Sequence, residues 1–455
     1  MITIDIYKGK NIALFGLGLS GLATAKALID GGANLYCWDD NEQSRLRAAE
    51  CGIPLLHLSE VNWSNISSLV LSPGVSLHFP SPHWTVELAK NNNVEVIGDI
   101  ELFVRQRNYF LETNKMVSKD MPFIAITGTN GKSTTTSLIA FLLKSIGVDV
   151  EIGGNIGQPI LDLASFKFGR CYVIECSSFQ IDLTPNINPD VGILLNITPD
   201  HIDRHGTLEN YIESKLSLVR GAKIKFLPDD MDIPGIEAVK VAEDKILSQG
   251  YYSQGKKLYF ATDNTVKELA DLSNSISLRG KHNIQNALNA IGALDQLFGD
   301  RVKNFSWQPA CLDFESLPHR MQQIRKIGNI SFVNDSKATN AEASMQALST
   351  FENIYWIIGG IAKYGGIDSL KPLFNRVTKA YLIGEAADGF GASIGNHFSY
   401  VNCGTLERAV ALSYEDAKKD PKECTILLSP ACASYDQFAN YSARGDAFIK
   451  FVKNL

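Results

Sequence analysis

A glycine-rich loop between an apolar run and a helical pattern constrains the fold of this chain more than any other feature. Residues 122–127 (PFIAIT) predict a buried strand, residues 128–134 (GTNGKST) form the loop, and residues 132–145 predict a helix. In this arrangement the backbone N–H groups of the loop surround an anion at the helix N-terminus. The pattern therefore predicts an α/β domain with a phosphate site at the edge of its sheet.

The end of this loop carries side chains that suit a nucleotide triphosphate. Lys132 is placed to reach the β- and γ-phosphates, and the Ser133 hydroxyl is placed to ligate Mg²⁺. Ile126 stands where the general pattern has a glycine, so the match misses one position. The alternative is a glycine turn followed by an exposed lysine, but the strand-loop-helix context favours an ATP site.

A carboxylate and a histidine follow two further predicted strands. Glu175 ends one apolar run, and His201 lies in the sequence NITPDHID (196–203) after another. A carboxylate at a strand end is able to ligate magnesium directly or through water. On chemistry alone, a solvated glutamate and a hydrogen-bonding histidine are the commoner cases, because magnesium prefers oxygen. A transition-metal site also stays open on three neighbours, although their spacing matches no zinc pattern: Asp200, Asp203 and His205.

The amino-terminal segment contains a second turn that suits a phosphate. An apolar strand at 12–15 runs into Gly-x-Gly-x-x-Gly (16–21), a helical pattern, and a strand at 35–38 that ends in Asp39 and Asp40. This βαβ unit fits a dinucleotide, but its glycines require only a tight turn near a phosphate, so any nucleotide diphosphate is allowed. A packing turn without a ligand is the alternative.

The last third of the chain alternates apolar strands with helical patterns, which implies a largely parallel sheet with ligands beyond the strand C-termini. The predicted strands are 330–333, 354–358, 380–383 and 425–428. A polar, charged stretch from Arg105 to Asp120 is interpreted as a linker. Together the segments predict an α/β protein of three domains. These are a Rossmann-like domain (1–104), a central P-loop ATPase-type parallel-sheet domain (105–316) and a Rossmann-like C-terminal domain (317–455).

Composition excludes several classes of protein. The net charge of −6 over 455 residues gives no reason to expect nucleic acid or an anionic membrane as partner. No apolar run reaches the roughly 18 residues of a membrane span, and the first residues lack the layout of a secretion signal. Eight scattered cysteines without a C-x-x-C pair favour a reducing cytosol, so a cytoplasmic location is expected.

The remaining candidate lysines are ambiguous when taken alone. Lys215 lies in an amphipathic helical pattern at 211–219, where a solvated surface lysine is the ordinary interpretation. Lys337 and Lys363 follow predicted strands and fit plain loop lysines, and Arg320 is open in the same way.

Several motifs, in order along nearly the whole chain, resemble those of the Mur ligase family of bacterial cell-wall synthesis. The run ECSSFQ (175–180) is similar to that of the family's D-glutamate-adding branch. The other similar runs are GTNGKST (128–134), NITPDHIDR (196–204), GKHNIQNA (280–287), PHR (318–320), NDSKATN (334–340) and SPACASYDQF (429–438). The resemblance implies an ATP-dependent ligase that joins D-glutamate to UDP-N-acetylmuramoyl-L-alanine.

The resemblance also implies a role for individual residues. Contacts to the UDP-linked substrate are expected at Gly16, Leu19, Ser20, Asp39, Asp40, Ser72, Gly74 and Asn155. ATP contacts are expected at Gly128, Thr129, Asn130, Gly131, Lys132, Ser133, Thr134, Asn283, Asn286, Arg320 and Asp335. The catalytic residues would be Lys132, Glu175, His201, Lys215 and Lys337. Two Mg²⁺ ions are implied, with ligands Ser133, Glu175, His201 and Lys215 as a carbamate.

D-Glutamate is expected at Thr339, Lys363, Ser434, Tyr435 and Phe438, with N–H groups after Ala433 if a helix starts there. Two departures weaken details of the match. Ile361-Ala362 lacks the acid common before Lys363, and Asn41 stands where a basic residue is common. A monomer is expected.

Three other functions stay open at this point. The first is another ATP-dependent amide ligase of the superfamily, such as a folylpolyglutamate synthase, although the SSFQ run and the full first segment argue against it. The second is an NAD-dependent oxidoreductase built on the first glycine motif. The third is a non-catalytic nucleotide sensor, which ATP turnover would exclude.

Overall fold

The computed structural model describes residues 1–315, 317–363 and 365–455, so the predicted border at residue 316 lies outside the described residues. The chain forms two compact units. The first unit comprises Met1–Ser273 and Gln285–Cys311, and the second comprises Asn274–Ile284 and Leu312–Leu455. No helix within the described ranges is long and apolar enough to cross a membrane.

The first unit begins with a four-stranded parallel sheet. Its strands are β1 (Asn11–Phe15), β2 (Asn34–Trp38), β3 (Ile66–Leu71) and β4 (Glu95–Ile97), and its helices are α1 (Leu19–Asp30), α2 (Glu42–Glu50), α3 (Trp84–Asn91) and α4 (Asp99–Thr113). The order is β2-β1-β3-β4. Because all pairs are parallel, the turns after β1, β2 and β3 meet at one edge.

The predicted linker at 105–120 is wrong. Helix α4 continues through this stretch to Thr113, and a 3₁₀ turn follows at Ser118–Asp120. The charged residues indicated an exposed linker, but one of them forms a buried ion pair. Arg107 is 2% exposed and its Nη2 donates to Asp190 Oδ2 at 2.6 Å. Phe103 and Val104 of the same helix are fully buried in a core that also contains Phe123. The burial and pairing of Arg107 explain why a charged stretch folds as a packed helix.

The same unit contains a nine-stranded sheet. Its strands are β5 (Phe123–Thr127), β6 (Asp149–Gly154), β7 (Arg170–Glu175), β8 (Val191–Leu194), β9 (Ile224–Pro228), β10 (Val239–Ala242), β11 (Gly250–Gln254), β12 (Lys257–Thr262) and β13 (Thr265–Asp271). Their order is β13-β12-β11-β10-β9-β8-β5-β7-β6. The helices that follow in the chain are α5 (Lys132–Ser145), α6 (Ser178–Asp182), α7 (Ile202–His205), α8 (Leu208–Gly221), α9 (Lys281–Phe298) and α10 (Trp307–Asp313). Strands β5 to β11 are parallel, so the loops after β5, β7 and β8 share an edge.

The second unit is built on a six-stranded sheet and a two-stranded ladder. The strands are β14 (Gln322–Ile327), β15 (Ile330–Asn334), β16 (Ile354–Gly359), β17 (Ile361–Ala362), β18 (Val377–Ile383), β19 (Ser399–Gly404), β20 (Cys424–Leu428) and β21 (Cys432–Ala433). The helices are α11 (Ala341–Thr350), α12 (Ala387–Ile394), α13 (Leu406–Ala417) and α14 (Tyr441–Lys453). The large sheet has the order β14-β15-β20-β16-β18-β19, with only β14 antiparallel to its neighbour. The predicted α/β class with parallel-rich sheets is confirmed.

Candidate active site

The phosphate loop lies between β5 and α5, as predicted. Gly131 caps the helix with a φ of +85°, and a Cβ there would lie 2.5 Å from Asn286 Oδ1. Both facts require glycine at this position. Lys132 Nζ donates to the carbonyls of Gly128 and Thr129, each at 2.8 Å, so its charge is held over the loop.

The segment after β8 is hydrogen-bonded to this loop. Thr129 N donates to Asn196 O at 3.0 Å, Asn130 N donates to Asn196 Oδ1 at 2.9 Å, and Asn196 Nδ2 donates back to Asn130 O at 3.1 Å. Thr198 N donates to Thr129 Oγ1 at 3.0 Å. The two motifs are therefore one structural unit, and the roles of Asn196 and Thr198 within it were missed by sequence reasoning.

Lys215 is buried, which corrects the surface lysine favoured by the helical pattern alone. It is 1% exposed on α8, and its Nζ donates to Gly128 O at 3.0 Å and Thr127 Oγ1 at 3.3 Å. Burial, together with the positive charge of Lys132, lowers the pKa of Lys215 to about 7. The side chain thus lies beside the phosphate loop with a substantial neutral fraction near neutral pH.

Glu175 has the environment of a cation ligand. It is 2% exposed, Asn155 Nδ2 donates to its Oε1 at 2.7 Å, and its Oε2 is buried without a hydrogen-bond partner. An orphaned carboxylate oxygen is costly unless a cation or a water binds it. Asn155 was predicted to contact the UDP-linked substrate, and Glu175 was predicted to ligate metal. Their hydrogen bond shows that these two residues are neighbours.

The described part of the chain contains no group of three His, Cys, Asp or Glu side chains close enough to hold a metal ion by themselves. Of the four residues predicted as metal ligands, only Glu175 and His201 are of these types, and the metal site stays a prediction.

His201 lies on a turn with unusual backbone geometry. Its φ is +53°, in the left-handed region that is uncommon for a non-glycine residue. Its side chain is 46% exposed and lies 3.5 Å from Asp200 Oδ2. The ring of Phe179 meets the His201 ring edge-on, with the two ring centroids 5.1 Å apart. Phe179 was missed by sequence reasoning as a residue that orients this histidine.

Apart from Asn155, the residues predicted to contact the UDP-linked substrate lie where β1, β2 and β3 end. A Cβ at Gly16 would lie 2.4 Å from Ser72 Cβ, so the two loops touch. Asp39 Oδ2 accepts from Leu17 N at 2.6 Å and therefore braces the glycine loop from within. Leu19 is 78% exposed, Asp40 and Gly74 are exposed as well, and Ser20 is half-buried.

The basic residue absent at position 41 has a counterpart one helical turn later. Asn41 caps α2 by accepting from Ser44 N at 3.0 Å. The Arg45 Nη1 donates to the carbonyls of Asp39 and Asp40 at 2.7 and 2.9 Å, and its guanidinium lies 4.5 Å from the Trp38 ring centroid. The chain thus has a positive charge at this edge that the sequence comparison of position 41 did not predict.

In the second unit, Asp335 and Lys337 follow β15. Asp335 Oδ2 accepts from the Ser429 hydroxyl at 2.8 Å, and its Oδ1 accepts from Met321 N at 3.2 Å. Burial raises the pKa of Asp335 to about 7, although these hydrogen bonds oppose the shift. Lys337 Nζ lies 3.9 Å from the centroid of the Tyr441 ring.

We expect Asp335 to lower the stability of the second unit as the pH rises from 3.8 to about 7. The pKa of this acid rises on folding from 3.8 to about 7, so the folded protein binds the proton more tightly. The free energy of unfolding therefore falls as pH rises through that window, by at most roughly 4 kcal/mol at about 1.4 kcal/mol per pKa unit. Asp335→Asn should raise the melting temperature relative to wild type by more at pH 8 than at pH 5.

The control for this prediction is the exposed Asp388→Asn variant on α12, which removes a carboxylate from the surface of the same unit. Melting curves of the full chain at the two pH values provide the measurement. An Asp335→Asn variant whose melting temperature differs from wild type equally at both pH values would contradict the assignment.

The residues predicted for D-glutamate lie around the ladder of β17 and β21. Ile361 pairs with Ala433 and Ala362 with Cys432 in antiparallel register, so Lys363 and Ser434 leave the ladder at opposite ends. Lys363 and Tyr435 are exposed, whereas Ser434 is only 2% exposed. The helix considered after Ala433 is absent: Ser434 O accepts from Phe438 N at 2.8 Å in a turn, and the next helix begins at Tyr441.

Arg444 on α14 joins the two loops of this region and was missed by sequence reasoning. It is 1% exposed, its Nη2 donates to Ser336 O at 2.9 Å and Cys432 O at 3.0 Å, and its Nε donates to Ser336 Oγ at 3.0 Å. An arginine in an amphipathic helical pattern gives no signal of burial, because arginines are mostly exposed.

The remaining predicted nucleotide contacts belong to different units. Asn286, 2% exposed, lies against Gly131 in the first unit. Asn283 belongs to the second unit, where its Nδ2 donates to Arg279 O at 2.8 Å. Arg320 is half-buried in the second unit, as is Thr339, which was predicted to contact D-glutamate.

Comparison with known proteins shows the family of the chain. The family model of the Mur ligase middle domain matches residues 126–294. A curated relative from Bartonella henselae is 50% identical over 466 residues, covering 100% of this chain and 99% of its own length. A pseudomurein peptide ligase type C from Methanothermus fervidus has a TM-score of 0.56 at 17% identity and covers 98% of this chain and 100% of its own. The chain belongs to the Mur ligase family.

The names of these relatives differ in what they specify. The Bartonella henselae relative is named UDP-N-acetylmuramoylalanine–D-glutamate ligase. A MurF ligase from Thermotoga maritima, solved in complex with ADP, has a TM-score of 0.55 at 13% identity and covers 86% of this chain and 89% of its own. At that identity the likeness shows the fold alone, so the branch within the family depends on the full-length relative.

Proposed function

We propose that the protein is an ATP-dependent amide-bond-forming ligase that adds D-glutamate to UDP-N-acetylmuramoyl-L-alanine through an acyl-phosphate, in peptidoglycan precursor synthesis. The single observation that carries this proposal is the 50% identity, over the whole chain, to a relative of that name. The buried Lys215 and Glu175 support it, because a nucleotide sensor needs the phosphate loop but neither of these two side chains.

The chemistry follows from charge. The alanyl carboxylate is an anion, so its attack on the γ-phosphate of ATP needs neutralising groups. Lys132 supplies a fixed positive charge at the phosphate loop, and we assign Lys337 the same role. Magnesium, held by Ser133, Glu175, His201 and a carbamate on Lys215, would add further positive charge at the phosphates. The amine of D-glutamate then displaces phosphate from the acyl-phosphate, which gives the amide.

The carbamate assignment for Lys215 is supported by position and chemistry together. The amine is buried next to Gly128 and Thr127, where a hard cation with the phosphates would lie. A neutral amine takes up CO₂ and becomes a carboxylate-like oxygen ligand, which suits magnesium better than nitrogen. The lowered pKa, to about 7, keeps part of the amine neutral at physiological pH.

We also assign three functional regions. Residues 1–104 would bind the UDP-linked substrate, residues 105–316 would bind ATP, and residues 317–455 would bind D-glutamate. A reaction with these substrates would take place in the cytosol, where ATP is available.

Phosphate release from ATP tests the proposal. We expect release with UDP-N-acetylmuramoyl-L-alanine and D-glutamate together, and poor rates with L-glutamate, L-lysine or diaminopimelate. A higher kcat/KM for diaminopimelate or L-lysine than for D-glutamate would contradict the branch assignment. Hydride transfer to a nicotinamide cofactor without ATP turnover would contradict the ligase itself.

We expect Ser434→Ala to raise the KM for D-glutamate at least about tenfold, with the KM values for ATP and the UDP-linked substrate little changed. A hydrogen bond from the buried Ser434 hydroxyl to a carboxylate contributes roughly 1.5–3 kcal/mol, and about 1.4 kcal/mol corresponds to tenfold. Steady-state kinetics with each substrate varied in turn provide the measurement. The exposed Ser399→Ala variant on β19 is the control, and an unchanged KM for D-glutamate in folded Ser434→Ala would exclude this serine from the site.

A further inference from the structure

The turn that carries His201 is bonded to a loop of the first sheet. Arg204 lies on the one-turn helix α7, and its Nη1 and Nη2 donate to Gly74 O and Val75 O, both at 3.1 Å. Gly74 belongs to the loop after β3 that is predicted to contact the UDP-linked substrate. Two backbone segments with different predicted ligands are thus joined by one guanidinium.

A second contact joins the same segments. Gly206, directly after α7, has a φ of +79°, and a Cβ on it would lie 3.2 Å from the Phe79 ring. The ring of Phe79 therefore packs on the bare backbone of the His201 turn. The loop after β3 therefore contacts the C-terminal end of α7 twice, through Arg204 and at Gly206.

The ring of Phe179 connects Arg204 to His201. The Arg204 guanidinium lies 4.7 Å from the Phe179 ring centroid, and the His201 ring meets the same ring edge-on at 5.1 Å. The backbone is connected as well, since Arg204 N donates to His201 O at 2.9 Å. Phe179 is part of α6, which begins three residues after Glu175.

We propose that Arg204 is a positioning residue that couples binding of the UDP-linked substrate to binding of magnesium-ATP. Its guanidinium holds the loop containing Gly74 against the turn containing His201, so an ordered loop favours the ordered turn. The inference rests on the proposed function, because that function assigns the two ligands to the two segments. Arginine suits this position, since one planar group donates to two carbonyls while it stacks on an aromatic face.

Coupling of this kind is reciprocal and measurable without turnover. If the UDP-linked substrate tightens magnesium-ATP binding by some factor, magnesium-ATP tightens binding of that substrate by the same factor. A merely structural role for Arg204 would weaken magnesium-ATP binding equally with and without the UDP-linked substrate. The ratio of the two Kd values for magnesium-ATP therefore separates positioning from general stabilisation.

The experiment measures the Kd of magnesium with a non-hydrolysable ATP analogue, with and without saturating UDP-N-acetylmuramoyl-L-alanine, by calorimetry on the full chain. We expect the wild-type ratio of the two Kd values to be about fivefold or more, the lower end of usual coupling. Arg204→Ala and Arg204→Gln should reduce it to less than about twofold. Arg204→Gln serves if the alanine variant does not fold, because it keeps a side chain of similar reach with one amide donor group.

The matched control is Arg220→Ala. Arg220 lines the same cavity of about 780 Å³ as Arg204, but it pairs with Glu213. The Arg220→Ala variant should keep the wild-type ratio of the two Kd values. A wild-type ratio near one, or a wild-type ratio retained in folded Arg204→Gln, overturns the coupling even if the wild type forms the amide. Failure of the wild type to bind the UDP-linked substrate, or to form the amide, overturns the proposed function instead.

Discussion

Replacing Lys132 by alanine is expected to slow phosphate release at least about a hundredfold in a protein that still folds. The Lys132 ammonium lies over the phosphate loop, 2.8 Å from the carbonyls of Gly128 and Thr129. The γ-phosphoryl group gathers negative charge as it is transferred, and a preorganised cation at that point stabilises the transition state. Removal of one such group typically costs about 10²–10³ in kcat.

The measurement is phosphate release with both substrates saturating, together with circular dichroism to verify folding. Lys144→Ala is a matched control, because Lys144 is an exposed lysine near the end of the same helix. Near-normal phosphate release by folded Lys132→Ala would contradict the proposal that this loop binds the phosphates of ATP.

Replacing Lys215 by alanine is expected to abolish most of the activity, and short carboxylic acids should partly restore it. Lys215 is 1% exposed and has no solvent-facing role, so the loss would come from the site beside Gly128. If the working form is a carbamate, the missing group is a carboxylate-like ligand, which formate or acetate is able to replace. The loss of a buried cation would not be repaired by an anion.

Two further measurements separate these possibilities. The Lys132→Ala variant should show no rescue by formate or acetate, because it lacks a cation rather than an oxygen ligand. Carbon-13 spectra of the enzyme with labelled bicarbonate should contain a carbamate signal that disappears in Lys215→Ala. A bare amine in the fully active enzyme would refute the modification.

Strands and loops with strong local patterns were predicted well. The predicted strand at 122–127 and helix at 132–145 correspond to β5 (Phe123–Thr127) and α5 (Lys132–Ser145). Short apolar runs bounded by glycine, and a glycine loop before a helix, depend on residues that are neighbours in the chain. Their conformations are therefore largely independent of the rest of the fold.

Burial and pairing between distant residues were decided only by the tertiary structure. The linker prediction was wrong because Arg107 pairs with Asp190, 83 residues away. The chain does not form the helix considered after Ala433, and Ala433 itself pairs with Ile361 in a β-ladder. Lys215 was interpreted as exposed from its pattern, and it is buried because α8 turns that side toward Thr127. The contacts of Arg204, Phe179 and Arg444 were not predicted for the same reason, although the first two residues lie in the motifs at 196–204 and 175–180.

The sequence by itself determined the α/β class, the phosphate loop and the strand ends where the candidate side chains lie. These features follow from local hydrophobic periodicity and from the conformational freedom of glycine. The tertiary structure decided which charged groups lose water. It left Glu175 Oε2 without a partner, lowered the pKa of Lys215, and joined the loop containing Gly74 to the turn containing His201 through Arg204. The physical reason is that desolvation and hydrogen bonding depend on groups that only folding brings together.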